Sequence, residues 1–400
     1  MKNIRHLIFL KDVLVLSLTS FGGPQAHLAI FFKILVQKRA YLTEPELMEL
    51  YSFCQILPGP ASTQTITAVG FKIGGPRLAF LTVLVWLLPA AIVMTAAAIV
   101  VSYFQAENLN LSFVKYLEPI AIGFVFYAVV KTISIIQKTK TALIILVLTA
   151  SICFYMAFFD KASPWMFPII LLISGFFTSF RFGKHEKEEK TPFNIRWANL
   201  ILLGGIFLGA AVIGTLTHAL PIRLFENFFR NGSLIFGGGQ ALIGYFYTEF
   251  VEFKNYLTHS EFLLGYAFLQ SLPGPVFTFA SYVGALSMRQ YGIWGEICGG
   301  FIGSFGIFLP GTILIFFIAP IWKNIKQYRV VKASFEGINA GNAGIIISTA
   351  LMLALPMQKG ELYTVALNDS IALATMCVLL FTRIPHPFLI IAGLVAGFVI

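Results

Sequence analysis

The chain has 400 residues, of which 58% are hydrophobic and only 12% are charged, with a mean hydropathy of +0.83 and a formal net charge of +10. Soluble domains carry roughly 25% charged residues, so this composition excludes a soluble enzyme or a soluble binding module. A helix needs about 20 apolar residues to cross a bilayer. The sequence therefore predicts an all-α polytopic integral membrane protein whose partner is the lipid bilayer.

Thirteen apolar segments come near that length. The N-terminal MKNIRHLIFLK is basic, but no small-residue cleavage site follows it, which favours a first span over a cleaved signal. The predicted spans are residues 10–32, 48–70, 78–103, 118–136, 141–159, 164–180, 198–218, 230–251, 262–285, 293–321, 336–356, 366–382 and 386–400.

A long segment of the chain occurs twice. Residues 21–63 recur without a gap as residues 236–278, with 19 identities in 43 positions. The duplication predicts a first repeat at 1–183, a cytoplasmic linker with one connecting span at 184–220, and a second repeat at 221–400. Because a single span joins the repeats, the second copy should be inverted in the membrane, as in many secondary transporters.

The basic residues predict the orientation. With a cytoplasmic N-terminus, 19 of the 28 Lys and Arg residues fall in cytoplasmic segments, among them Lys254, and the C-terminus lies outside. The basic residues are scattered over short loops, so the net charge indicates orientation and no nucleic-acid partner. The loop with Lys33, Lys38 and Arg39 is basic yet assigned outside, which hints that the preceding segment is re-entrant.

Glycine and proline interrupt four apolar segments, at FGGP and LPGP in the first repeat and at FGGG and LPGP in the second. Lipid cannot satisfy the backbone groups that such breaks release, so breaks survive where they line a cavity or meet a ligand. A half-helix beginning after Pro60 or Pro275 presents free N–H donors and a partial positive charge, which suits an anion. A single break is more often a kink, but four paired breaks favour a site.

Hydroxyl and amide side chains follow the breaks and can hold an oxyanion as neutral donors. The two symmetric glutamine pairs are open between ligand contact and interhelical hydrogen bonding. The residues predicted to bind substrate are Gly22, Gly23, Pro24, Gln25, His27, Gln55, Pro58, Gly59, Pro60, Ser62, Thr63 and Gln64 in the first repeat, and Gly237, Gly238, Gly239, Gln240, Gln270, Pro273, Gly274, Pro275 and Thr278 in the second.

These motifs resemble a known family. FGGPQAHLAIF, YLTEPELMELYSFCQILPGPASTQ and the later WLLP are similar to the first half of the CHR family of chromate ion transporters, and FGGGQALI, YLTHSEFLLGYAFLQSLPGPVFTFASYVG and GIFLPG are similar to its second half. The resemblance covers nearly the whole chain in the long two-domain form. It implies an inner (plasma) membrane secondary carrier that exports chromate, with sulfate as a look-alike anion. Gly239 and Leu242 depart from Pro24 and His27, so the halves are not equivalent.

Ionisable residues within a bilayer are functional candidates. Glu118 and Glu336 open matching spans, where a carboxylate near the headgroups is inexpensive; the alternative is a role in coupling or gating, supported by Asn339 one turn after Glu336. Glu46 and Glu261 fall in first turns, which predicts capping.

Three function classes remain open: a carrier of a tetrahedral oxyanion, a carrier of another small anion or metabolite on the same scaffold, and a channel or intramembrane enzyme. The sequence shows no HExxH, GxSxG or GxxxxGK[ST] motif and no clustered metal ligands. It predicts a non-enzyme with no cofactor and no metal site, and it leaves a homodimer open.

Overall fold

The structure, a computed structural model, describes residues 2–107, 112–136, 139–180, 197–236, 238–318 and 329–399. Within these residues all regular secondary structure is helical. Seven helices there are long and apolar enough to cross a membrane, and three shorter apolar helices accompany them, at Met166–Ser179, Val276–Ser287 and His386–Val399. The all-helical membrane class is confirmed, whereas the count of thirteen spans is not.

The first repeat begins with two pairs of helices, and a glycine-proline break separates the two helices of each pair. The helices of this repeat are α1 (Lys2–Thr19), α2 (Pro24–Phe31) with a π-helix at Phe32–Lys38, α3 (Glu44–Ile56), α4 (Ala61–Ala106), α5 (Leu117–Ile135), α6 (Lys140–Phe158) and α7 (Met166–Ser179). Helix α4 is interrupted at Gly75, where φ is 75°, so residues 61–74 form a separate half-helix.

Helix α8 (Ala198–Thr217) follows, and the pattern then recurs. The second set is α9 (Leu220–Leu234), α10 (Gly239–Phe246) with a π-helix at Tyr247–Phe253, α11 (His259–Ser271), a 3-10 turn at Val276–Thr278 leading into α12 (Phe279–Ser287), α13 (Gly292–Ile318), α14 (Arg329–Ala354), α15 (Leu362–Phe381) and α16 (His386–Val399). The two π-helices lie 215 residues apart, so the repeat in sequence is also a repeat in local structure.

The predicted breaks are real. Gly59 and Gly274 adopt φ of +105° and +112°, a region where a side chain is strained. Residues 10–32 and 48–70 are therefore not single continuous helices, because a helix ends before each break and another begins after it. Glu46 and Glu261 cap α3 and α11 as predicted: the backbone N–H groups of Thr43 and Thr258 donate to their carboxylates at 2.8 and 2.6 Å.

The chain divides into two compact units, and each takes segments from both repeats. The first comprises the described residues of Met1–Ile99, Glu189–Gly239 and Leu272–Gln327. The second comprises those of Val100–Glu188, Gln240–Ser271 and Tyr328–Ile400. The division into 1–183, 184–220 and 221–400 follows sequence similarity and stays a prediction; most of the linker lies outside the described residues.

In the first unit, α1 forms an antiparallel hairpin with α2 and the π-helix that continues it. The loop after the π-helix returns to the middle of α1: the guanidinium of Arg39 lies 2.8 Å from the Asp12 carboxylate, and the Tyr41 hydroxyl donates to Asp12 at 2.7 Å. Lys33, Lys38 and Arg39 therefore do not follow a continuous span, and the membrane side on which they lie stays a prediction. The helix breaks after Thr19 and turns back.

Helix α3 and the half-helix 61–74 form a second hairpin. Its open end lies on the same side as the start of α1. The Lys72 ammonium lies 2.5 Å from the Glu46 carboxylate, so the half-helix finishes where α3 begins. Gly74 lies beside His6, near the start of α1. Both hairpins therefore carry their glycine-proline break at the far end, away from the N-terminus of the chain.

In the second unit, α14 runs parallel to α6. Thr139, just before α6, donates a hydrogen bond to Glu336 near the start of α14, and Gly344 packs on Leu146 farther along. The π-helix Tyr247–Phe253 lies at the other end, in a group with Ala157 and Met352. Lys254, which follows this π-helix, was predicted on the same side as Lys140; the contacts correct this, because they place it at the opposite end of α6.

Candidate functional site

The first unit joins the breaks of the two repeats by a reciprocal pair of hydrogen bonds. The backbone N–H of Gly59 donates to the Ile235 carbonyl at 2.8 Å, and the N–H of Gly274 donates to the Ser20 carbonyl, also at 2.8 Å. Gly59 and Gly274 are equivalent positions, and so are Ser20 and Ile235. Each LPGP break is therefore tied to the residue that precedes the other repeat's FGG sequence.

The packing around the two glycines is also reciprocal. A Cβ added to Gly59 would meet the Gly232 carbonyl at 3.4 Å, and one added to Gly274 would meet the equivalent Ser17 carbonyl at 3.7 Å. The break of each repeat thus fits between helices of the other repeat, which brings the breaks of both repeats together in one compact unit.

The half-helix after the first break is buried along residues 61–70. Thr65 and Thr67 donate to backbone carbonyls one turn earlier, as hydroxyls commonly do in membrane helices. The hydroxyl oxygen of Thr63 instead accepts a hydrogen bond from the Trp86 indole at 3.1 Å. The Thr63 hydroxyl hydrogen can therefore be offered to a ligand.

Gln64 lies beside the break, and its side-chain amide makes only part of its possible hydrogen bonds. Its side-chain N–H donates to the Pro58 carbonyl at 2.7 Å, while the side-chain oxygen is buried without a partner among the described residues. Pro60 is buried beside it. An unmatched buried polar atom is unusual in a folded protein and marks a place for a ligand or a water molecule.

His27 and Ser20 add further unmatched polar groups in the same unit. The His27 ring is fully buried between Phe31 and Trp86, with its centroid 5.5 Å from that of Trp86. Within the described part of the chain, neither His27 nitrogen nor the Ser20 hydroxyl makes a hydrogen bond of normal geometry. The first repeat thus concentrates buried, unmatched polar atoms around its FGGP and LPGP breaks.

A buried arginine, which the sequence reasoning did not single out, lies on α9. Arg230 is only 6% exposed, and its guanidinium lies 3.2 Å from the Glu226 carboxylate one turn earlier. Asn227 and Asn231 are buried on the same helix. The run ENFFRN carried the signal: its polar residues recur at helical spacing within an apolar region.

The second break is more nearly satisfied by its own residues. The Thr278 hydroxyl donates to the Pro275 carbonyl at 2.7 Å, and the Ser281 and Ser304 hydroxyls pair at 2.5 Å. A Cβ on Gly239 would lie 2.8 Å from the Val276 side chain, which explains why the proline found at position 24 has no counterpart there.

The remaining predicted residues are more dispersed. Gly22 has φ of +90°, Gly23 precedes α2 and Pro24 lies in its first turn; the side chains of Pro24 and Gln25, and Gly237 as a whole, lie outside the described set. Ser62 is buried and Pro273 is half-buried. Gln55 is exposed, Gly238 has φ of +86°, and Gln240 and Gln270 are half-buried in the second unit.

The predicted coupling residues all belong to the second unit. Glu118 is half-buried in the first turn of α5, and Glu336 accepts the hydrogen bond from Thr139. Asn339 is exposed, whereas Asn342, one turn later, is buried with no partner for its amide among the described residues. No group of three or more His, Cys, Asp and Glu side chains within those residues could hold a metal ion.

Comparisons with known proteins agree with this architecture. Residues 7–178 and 222–398 match the family model described as chromate transporter. An uncharacterized transporter of Methanocaldococcus jannaschii is 25% identical over 355 residues, covering 86% of this chain and 83% of its own. A chromate transport protein of Pseudomonas aeruginosa is 24% identical over 351 residues, covering 84% and 78%.

A shorter relative corresponds to about one repeat. An uncharacterized transporter of Bacillus subtilis is 28% identical over 181 residues, which are 44% of this chain but 96% of the relative. No solved structure matches the chain significantly. The match in two parts and the apolar helices lead to one conclusion: the chain belongs to the chromate transporter family and is a multi-pass membrane protein.

Proposed function

We propose that the protein is a secondary active transporter of a tetrahedral oxyanion, most simply chromate exported from the cytoplasm across the inner membrane. The observation that carries the proposal is the reciprocal joining of the two LPGP breaks through Gly59 and Gly274. Relatives that match most of the chain are named chromate transport proteins. Sulfate has the same shape and charge, so it is the second candidate substrate.

The anion is proposed to bind at the start of the half-helix 61–74. The N–H groups there point along the helix axis toward the break and favour negative charge. The Thr63 hydroxyl adds a neutral donor. Arg230 is buried on α9, the helix whose Gly232 packs on Gly59, so it adds a positive charge within the same unit. Together these groups balance the negative charge of a dianion. They do not hold it in a salt bridge so strong that it could not be released.

The two hairpins of the first repeat support an inverted arrangement of the repeats, in which both ends of each hairpin lie on the same side of the membrane. If the N-terminus is cytoplasmic, the loops of the α1–α2 and α3–α4 hairpins are cytoplasmic, and the equivalent loops of the second repeat, identified from the 215-residue sequence repeat, lie outside. Under this topology 21 of the 28 Lys and Arg residues are cytoplasmic, compared with 19 when the hairpins are drawn as spans. The improvement agrees with the positive-inside rule.

This topology replaces thirteen spans with four re-entrant hairpins and nine spanning segments. The C-terminus is still placed outside. Opposed hairpins of this kind let access alternate, since exchanging the conformations of the two repeats moves the opening from one side to the other. A channel remains distinguishable, because it would conduct without saturable exchange.

The proposal is tested by uptake of labelled chromate into everted membrane vesicles, with sulfate, molybdate and phosphate as competitors. We expect saturable uptake in vesicles that contain the protein, reduced most by sulfate. Equal uptake in vesicles with and without the protein would reject an oxyanion carrier. If sulfate inhibits uptake at concentrations much lower than those at which chromate saturates it, sulfate is the substrate.

A further inference from the structure

A small cavity lies in the second unit and is lined by none of the residues of the glycine-proline breaks. Its free volume is about 10 Å³, which is the space that one water molecule occupies. The π-helix Tyr247–Phe253 forms one wall, and α6, α7 and α14 form the others. The polar side chains that line it are Cys153, Tyr247, Thr248, Glu252, Ser348 and Thr349.

Glu252 places a carboxylate in this cavity. One of its oxygens is buried and has no partner within the described residues, while the Thr248 hydroxyl lies beside the carboxylate. A buried carboxylate is costly in a membrane protein unless a positive charge or a proton neutralises it. The geometry therefore leaves a position beside Glu252 that a cation would fill.

Neutral oxygens complete the lining. Ser348 and Thr349 are both buried on α14. The Thr349 hydroxyl donates its hydrogen to the Ile345 carbonyl, so its oxygen is left with lone pairs for a cation. Gly244 lets α10 approach this hydroxyl closely, because a Cβ at that position would clash with the Thr349 oxygen.

The equivalent π-helix of the first repeat lacks these groups. Lys33 and Gln37 stand 215 residues before Thr248 and Glu252. The duplication has therefore diverged in charge at one structurally matched segment, with a carboxylate in only one copy. Since π-helical segments in helices are frequently found at functional sites, the acidic copy is the candidate.

Among the described residues, no cationic side chain forms an ion pair with the Glu252 carboxylate. Asp160, which follows α6, adds negative charge near Glu252, and Glu249 is buried on the same π-helix. The Tyr247 hydroxyl pairs with the Nδ1 of His259 at 2.9 Å. The Lys254 ammonium lies 5.4 Å from the centroid of the Phe253 ring.

We propose that this cavity binds a monovalent cation, either Na⁺ or a proton carried by Glu252, whose movement is coupled to that of the anion. The inference rests on the proposed function, because it names the driving ion for the same transporter. Coupling requires only that cation binding changes the affinity for the anion, and the reverse effect then follows by linkage. Hydroxyl and carboxylate oxygens suit Na⁺, and the carboxylate alone suits a proton.

The test uses purified full-length protein in proteoliposomes and compares wild type with Glu252→Gln. Chromate exchange is measured without any gradient, and chromate accumulation is measured under a Na⁺ gradient at equal pH and under a pH gradient without Na⁺. We expect one gradient to drive accumulation in wild type and the variant to lose it by about fivefold or more, as expected for a coupling free energy of 1–3 kcal/mol. Gradient-free exchange should persist. Glu361→Gln, an exposed carboxylate of the same unit, should behave as wild type.

Accumulation by Glu252→Gln at the wild-type level in the responsive arm overturns the proposal, and so does a wild type that responds to neither gradient. If Glu252→Gln is not recovered in folded form, Thr248→Val tests the same site and should weaken the response to the driving cation several-fold.

Failure of the proposed anion transport is a separate result: wild type would then show no chromate exchange. In that case, binding of radiolabelled Na⁺ and proton uptake by purified wild type, both compared with Glu252→Gln, decide the cation site; no difference in either rejects it.

Discussion

The backbone N–H of Gly59 donates to the carbonyl of Ile235 at 2.8 Å, so the LPGP break of the first repeat is held by the second. The equivalent bond in the opposite direction makes the two breaks mutually dependent. A disturbance of one break should therefore affect the other half of the molecule.

Alanine at either LPGP glycine should disable the protein. Gly59→Ala and Gly274→Ala put a side chain at φ above +100°, which costs roughly 1–3 kcal/mol, and at Gly274 the new Cβ would meet Ala90 at 3.0 Å. We expect lower membrane abundance or loss of chromate transport in both variants. Western blotting and vesicle uptake measure the two effects.

The matched control is Gly205→Ala on α8, where a Cβ would meet no atom within 4 Å. It should leave abundance and transport at wild-type values. Normal transport by both LPGP variants would mean that the reciprocal bonds are dispensable.

Arg230 should contribute to both folding and anion affinity. Arg230→Gln leaves the partly buried Glu226 carboxylate without its charged partner, so abundance should fall. The double variant Glu226→Gln/Arg230→Gln removes both charges and should recover abundance, yet its apparent chromate affinity should be lower than that of wild type.

Arg223→Gln on the exposed face of the same helix serves as the control and should change neither property. If the double variant binds chromate as tightly as wild type, Arg230 has a structural role only.

The re-entrant hairpins predict opposite sides for equivalent loops. In a variant whose four native cysteines are replaced, Glu44→Cys at the start of α3 should react with a membrane-impermeant maleimide only in everted vesicles. Ser260→Cys at the start of α11 should react in intact cells. Both positions are exposed, so reaction reports sidedness. Labelling of both from the same side would reject the inverted hairpins.

Sequence reasoning located the breaks because glycine and proline act locally: Gly59 needs its left-handed conformation whatever surrounds it. It did not determine the direction of the chain after each break, since an apolar hairpin and an apolar span have the same hydropathy. The basic residues Lys33, Lys38 and Arg39 carried the missing information, and the Arg39–Asp12 pair explains why. Arg230 and Glu252 were missed because their burial depends on tertiary packing.

The most direct test of the anion site is the apparent chromate affinity in a counterflow assay with purified Thr63→Val and Thr278→Val. Thr63 offers its hydroxyl hydrogen to a ligand, whereas Thr278 uses its own on the Pro275 carbonyl. Losing one buried donor costs about 1–3 kcal/mol, so Thr63→Val should bind chromate roughly tenfold more weakly. Thr278→Val should stay near wild type, as should Thr67→Val, whose hydroxyl bonds to its own helix. An unchanged affinity in Thr63→Val, with normal protein abundance, would contradict an anion bound at the start of this half-helix.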